Sequence, residues 1–121
     1  MTAIAPHITA FLRQRLPVER AASPHTCDAY AYAFRLLFAF ASRTLRVPPS
    51  GLQLEHLDAQ LVLAFLADLQ TSRNNSPRTR NARLTAIKSF MHFVEHRVPG
   101  ALEQIRRVLA IPNQKTDLRL V

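Results

Sequence analysis

Two glycines and a single cysteine are all that these 121 residues contain of either type, and tryptophan is absent. The lone thiol, Cys27, excludes an internal disulfide and any cysteine-based metal cluster built from one chain, so a reducing cytoplasm is the expected setting. The scarcity of glycine leaves the segments between breakers free to be helical rather than short, glycine-turned strands. No charged-then-apolar leader opens the chain, and no apolar run approaches the roughly 18 residues that a membrane span requires. A soluble, intracellular chain with no membrane partner is therefore expected. Acid is scarce as well, with eight Asp and Glu against sixteen Lys and Arg, for a net charge of +8.

Fourteen of those sixteen cations are arginine, Lys88 and Lys115 being the other two. A guanidinium is a fixed fork of donors matched to phosphate and to guanine edges, so the bias points to nucleic acid more than to general solubility. The apolar share is 48%, and the length fits one domain with a real core.

Periodicity divides the chain into five helical segments. Residues 6 to 16 put Ile8, Phe11, Leu12 and Leu16 at helical spacing, with Pro17 expected to close the segment. A second helix, roughly 24 to 44, carries Tyr30, Ala33, Phe34, Leu37, Phe38 and Ala41 on one face. The double proline and glycine of "RVPPSGLQLEH", 46 to 56, predict a loop joining two halves. Asp58 is placed to cap a third helix striped by Leu61, Val62, Phe65, Leu66 and Leu69, which "TSRNNS" ends. The fourth runs from about 77 to 96. A fifth, shorter helix buries Leu102, Ile105 and Leu109 and stops at Pro112. Residues 1 to 110 make the expected domain, and 111 to 121 look like the start of a linker. The fold class expected is all-α, a bundle of four main helices plus a short C-terminal one.

Two of these helices open with the same signal. Ser23-Pro24-His25-Thr26 and Ser76-Pro77-Arg78-Thr79 each offer a serine hydroxyl to an unsatisfied first-turn amide, followed by a proline with no amide to lose. Shifting by 53 residues also aligns Ala29 with Ala82, Ala33 with Ala86, Leu37 with Phe90 and Phe40 with Phe93. A shared start signal and an old duplication both account for this. Either way, two helix N-termini with free amides suit phosphate.

The two copies differ in charge. Arg73, Arg78, Arg80, Arg83 and Lys88 load the second copy with no acid among them, and Arg78, Asn81, Thr85, Lys88 and His92 share one side of its wheel. A basic helix face commonly serves solubility alone. Here arginine, asparagine and threonine sit together in the first turns, where a helix in a major groove presents its base-reading side chains.

The ordered set of "FLRQRLPVERAASPHTCDAYAYAFRLLFAFA", "LEHLDAQLVLAFLADL", "NSPRTRNARLTAIKSFMHFV" and "RRVLAIPNQK" resembles the N-terminal, core-binding domain of the tyrosine recombinases, the phage-integrase-like family. The resemblance rests on a Thr-x-x-x-Tyr helix, a leucine-rich third helix, a Thr-x-x-x-Arg-Leu helix and an Ile-Pro linker. It implies a SAM-like bundle that forms half of a clamp around duplex DNA, with the second and fourth helices facing the major groove and contacts from Thr26, Tyr30, Thr79, Arg80 and Arg83. It also implies a downstream catalytic domain bearing the tyrosine nucleophile, and self-association on DNA. Neither Tyr30 nor Tyr32 is expected to act as that nucleophile, and this chain alone is not expected to be an enzyme or to need a cofactor. Where the family often carries glycine before the second helix, this chain has Ala21 and Ala22.

The DNA-contact residues expected are thus Ser23, His25, Thr26 and Tyr30 from the second helix. The fourth helix and its approach add Arg73, Ser76, Arg78, Thr79, Arg80, Asn81, Arg83, Thr85 and Lys88. His92 and His96 have a zinc-compatible spacing but no evident third ligand, Glu95 being expected to point away, so no metal site is expected. The competing reading is a helical protein-interaction module with a basic face.

Overall fold

The computed structural model describes residues 2–116. Helix α1 spans Ala5–Ala10 and runs directly into a π-helix over Phe11–Glu19. Helices α2 (Pro24–Leu45), α3 (Ala59–Thr71), α4 (Pro77–Arg97) and α5 (Leu102–Leu109) follow, with short 3-10 turns at Pro49–Gly51, Leu54–His56 and Pro99–Ala101. Among the described residues the only extended pairing is an isolated antiparallel bridge between Ala3 and Gln53. The all-α bundle and the periods of α2, α3 and α4 agree with the pattern of the sequence. Residues 117–121, the end of the expected linker, lie outside the described residues.

Each long helix starts for a local reason. At α2, Ser23 sits in extended backbone and its Oγ accepts from the Thr26 amide at 3.1 Å. At α4, Ser76 does the same for Thr79 at 3.2 Å. The hydroxyls pair too, Ser23 Oγ lying 3.0 Å from Thr26 Oγ1 and Ser76 Oγ 3.3 Å from Thr79 Oγ1. Asp58 caps α3 by accepting from the Leu61 amide at 2.8 Å. Each such cap contributes on the order of 1 kcal/mol.

Two segments depart from the expected pattern. Pro17 does not close the first helix, because the chain has already widened into i→i+5 geometry, as the 2.9 Å bond from the Arg20 amide to the Arg15 carbonyl shows. The wider turn moves the upstream carbonyls away from the proline ring, which an α-helix would force into collision. In α5 Ile105 is buried as expected and Leu109 is half-buried, but Val108 is buried as well and Leu102 is 38% exposed, its place taken by Ala101 of the preceding turn. That turn is the 3-10 segment at Pro99–Ala101, which leads into the helix.

The stretch from 46 to 56, expected as a plain loop, is tightly fastened. Leu52, Leu54 and Leu57 are buried, and the Gln104 side-chain amide donates to the Leu54 and Leu57 carbonyls at 2.7 and 3.0 Å. Thr2 adds a strap, its amide donating to Glu55 at 2.9 Å while its carbonyl accepts from Leu54 at 2.8 Å. Burial alone pushes the Glu55 carboxyl up, but the bonds from Thr2, its own backbone amide and the N-terminal charge together outweigh it and hold the group below its ordinary 4.5.

The core has an aromatic hub. Phe11, 1% exposed, has ring neighbours Phe90 and Phe93 at 5.5 Å each, Phe34 at 6.1 Å and Tyr30 at 6.3 Å. One side chain from the π-helix thus joins α2 to α4. Edge-to-face pairs of this kind add about 0.5–1.5 kcal/mol beyond their buried area.

Candidate nucleic-acid interface

Above this hub lies a groove walled by the π-helix, α2, α4 and the segment after α5. Its floor is Phe11, Leu16, Tyr30 and Phe93, and its rim carries Arg15, Arg20, Thr85, Lys88, Ser89, His92 and Asn113. No acid lines it. Apolar floor and polar rim have a common origin: Phe11 and Leu16 turn inward, which leaves Arg15 and Arg20 on the outer edge of the same widened helix. Arg15 is braced, its guanidinium 3.1 Å from Glu19 and its Cζ 6.0 Å from the centre of the Phe93 ring.

Of the residues singled out from sequence, Tyr30, Thr85, Lys88 and His92 meet in this groove. Arg15, Arg20, Ser89 and Asn113 belong to it without having been expected. Their signal was weak, because Arg15 and Arg20 flank a proline that spoils an α-helical wheel and Asn113 follows the last helix. The exposed His25, Arg73 and Arg78 stand near the two helix starts, and among the described residues no carboxylate forms an ion pair with any of them. The hydroxyls of Ser23, Thr26, Ser76 and Thr79 are occupied by their caps.

Three residues depart from the exposed reading face. Arg80 is only 6% exposed, because it shares the inward phase of Leu84, Ile87 and Met91. Its Nη1 donates to the Pro112 carbonyl and to Asn81 Oδ1, both at 3.1 Å, while its Nε is buried without a partner. Burial lowers its pKa below the ordinary guanidinium range. Asn81 holds the same segment, its Nδ2 donating to the Gln114 carbonyl at 2.8 Å and its Oδ1 accepting from the Gln114 amide at 2.9 Å. Arg83 lies 5.0 Å over the Tyr32 ring. Its Nε is likewise buried and unpartnered.

Glu95 also differs from expectation. Rather than pointing away, its carboxylate lies 3.4 Å from His92, three positions before it on the same helix face, and 3.9 Å from the exposed His96. Among the described residues no group of three or more His, Cys, Asp or Glu is arranged to hold a metal ion. Nor is any described helix long and apolar enough to cross a membrane.

Residues 8–98 match the family model described as "Phage integrase, N-terminal SAM-like domain". Two proteins of Sinorhizobium fredii (strain NBRC 101917 / NGR234) are similar along nearly the whole chain. One, "Putative integrase/recombinase y4rC", is 48% identical over 118 residues, covering 98% of this chain and 36% of its own length. The other, "Putative integrase/recombinase y4rD", is 43% identical over 117 residues, covering 97% of this chain and 42% of its own. The chain therefore spans well under half the length of these relatives. No solved structure matches it.

Proposed function

The chain belongs to the phage integrase family through its N-terminal SAM-like domain, and from that premise we propose that it binds duplex DNA as the core-binding arm of a tyrosine recombinase. The observation that carries this reading is the basic groove, where Arg20 and Lys88, with Arg15 braced by Glu19 and His92 beside Glu95, line one rim together with hydrogen-bonding Thr85, Ser89 and Asn113. Arginine and lysine spaced along one groove meet successive backbone phosphates and release condensed counterions, which gives grip. Hydroxyl and amide groups on the same rim can bond phosphate oxygens or base edges, which gives partial readout.

On this reading strand-exchange chemistry falls to a separate catalytic domain, and neither tyrosine here is assigned a reacting role. Tyr30 stacks on Phe11 beneath the groove, and Tyr32 carries Arg83 over its ring. Assembly of several copies on DNA and a role in integration of a mobile element are part of the same proposal.

Fluorescence anisotropy of a random duplex across a salt series tests it. The expected dissociation constant is on the order of 10⁻⁴ to 10⁻⁶ M, as for non-specific contacts, and weakens steeply with salt. Replacing both Arg20 and Lys88 by alanine is expected to lower the salt slope by about two, close to one per lost phosphate contact. Both side chains lie on the groove rim, outside the apolar cluster, so the variant is expected to fold. Absence of binding at low salt would reject the reading.

A further inference from the structure

The bonds that hold residues 112–114 against α4 are an unusual use of a helix start. Pro112 and Gln114 lie across its first turn, held by Arg80 and Asn81. Gln114 is held a second time by α3, its side-chain amide exchanging bonds of 2.8 and 2.9 Å with Gln70. Asn113, between them, forms part of the groove rim.

What the clasp offers Arg80 is a poor match for a guanidinium. The group is nine-tenths buried, yet its acceptors are neutral oxygens of Pro112 and Asn81, its Nε has no partner, and among the described residues no carboxylate pairs with it. A buried cation with only neutral partners is under-compensated, and a phosphate is a stronger, charge-assisted acceptor. The clasp bonds of Asn81 are made at a partly exposed site, where water competes with them.

We infer that residues 112–114 act as an intramolecular cover on the first turn of α4, held by Arg80, Asn81 and Gln70, which DNA phosphates displace. This rests on the DNA reading above and adds a coupling to it. When duplex enters the groove, the chain leaving α5 is released from α4, so its direction of exit depends on DNA occupancy. Arg80 and Asn81 then have two alternative partners, the covering segment and the DNA backbone.

Amide exchange by NMR on the full chain, with and without a random 20-base-pair duplex, separates the possibilities. The expected result is perturbation of the Thr85 to His92 region together with faster exchange of the Gln114 amide, whose bond to Asn81 is broken. Perturbation of that region with an unchanged Gln114 amide would overturn the cover while leaving the DNA reading intact. No perturbation anywhere would overturn both. Gln114→Pro gives an independent arm: it deletes the amide that Asn81 accepts and lies outside the core, so the bundle stays folded. Duplex affinity is expected to rise about 2- to 10-fold, the equivalent of one modest hydrogen bond. Unchanged or weaker binding by this variant would also reject the cover.

Discussion

Ala21 adopts φ 50°, a left-handed conformation that costs a residue with a Cβ roughly 1–2 kcal/mol. It does so at the turn between the π-helix and α2, where the family often places glycine. Ala21→Gly removes the clash but adds unfolded-state entropy, so a net gain of about 1 kcal/mol is expected, near 4 °C in thermal midpoint. Circular dichroism melting checks it, and DNA affinity should stay unchanged because the backbone that carries Arg20 keeps its path. The same scale shows where single residues could be read from sequence and where they could not. Ser23, Ser76 and Asp58 announce their caps, since capping is local and type-specific. Arg80 is hidden behind its charge: the type says surface, while its spacing to Leu84, Ile87 and Met91 says core, and the spacing prevails because Pro112 supplies an acceptor from 32 residues away.

Among elements, α1 and the end of α4 are tied by one titratable bond. Arg97 Nε donates to His7 Nδ1 at 3.1 Å, which requires a neutral imidazole. Burial, and then the nearby Arg97 charge, hold the His7 pKa below its ordinary 6.5. A depressed folded value means the contribution to stability is complete above pH 6.5 and drains away as pH falls from there through the lower, folded value. Thermal melts of the parent chain and of His7→Gln across that window should diverge, with the parent losing more on acidification; parallel curves would show that this tie carries no stability. Helices α2 to α4 were legible because their apolar residues keep a 3.6 period over three or more turns. The π-helix was not, since its wider period and internal Pro17 have no counterpart in an α-helical wheel. The α5 stripe kept Ile105 but missed at Leu102, because a 3-10 turn puts Ala101 in its place.

Across the described molecule, two hollows differ in the charges that line them. The groove rim is basic, while Glu55, Asp58 and Glu103, the last paired with Arg107, line a separate hollow between the 3-10 turn at Leu54–His56, α3 and α5. At physiological ionic strength charges act over about 8 Å, so location outweighs the net +8. Lys88→Gln and Glu103→Gln each change the net charge by one unit, in opposite directions. Lys88→Gln is expected to weaken duplex binding and flatten its salt slope by about one, whereas Glu103→Gln should leave both within error. Mirror-image effects of equal size would mean that overall charge, not the groove, governs binding. From sequence the basic character of α4 was clear, but the groove itself was not, because it needs Arg15 and Arg20 from the first helical segment and Asn113 from the last.

The π-helix has a consequence for how this surface is able to vary. Its turns hold more residues than α-helical ones, so one deletion between Phe11 and Glu19 would let the segment relax into ordinary winding. Arg15 and Arg20 would then rotate relative to Phe11, while α2 to α4 kept their sequences. Segment length, independent of residue identity, is thus a dial that sets which cations face the groove.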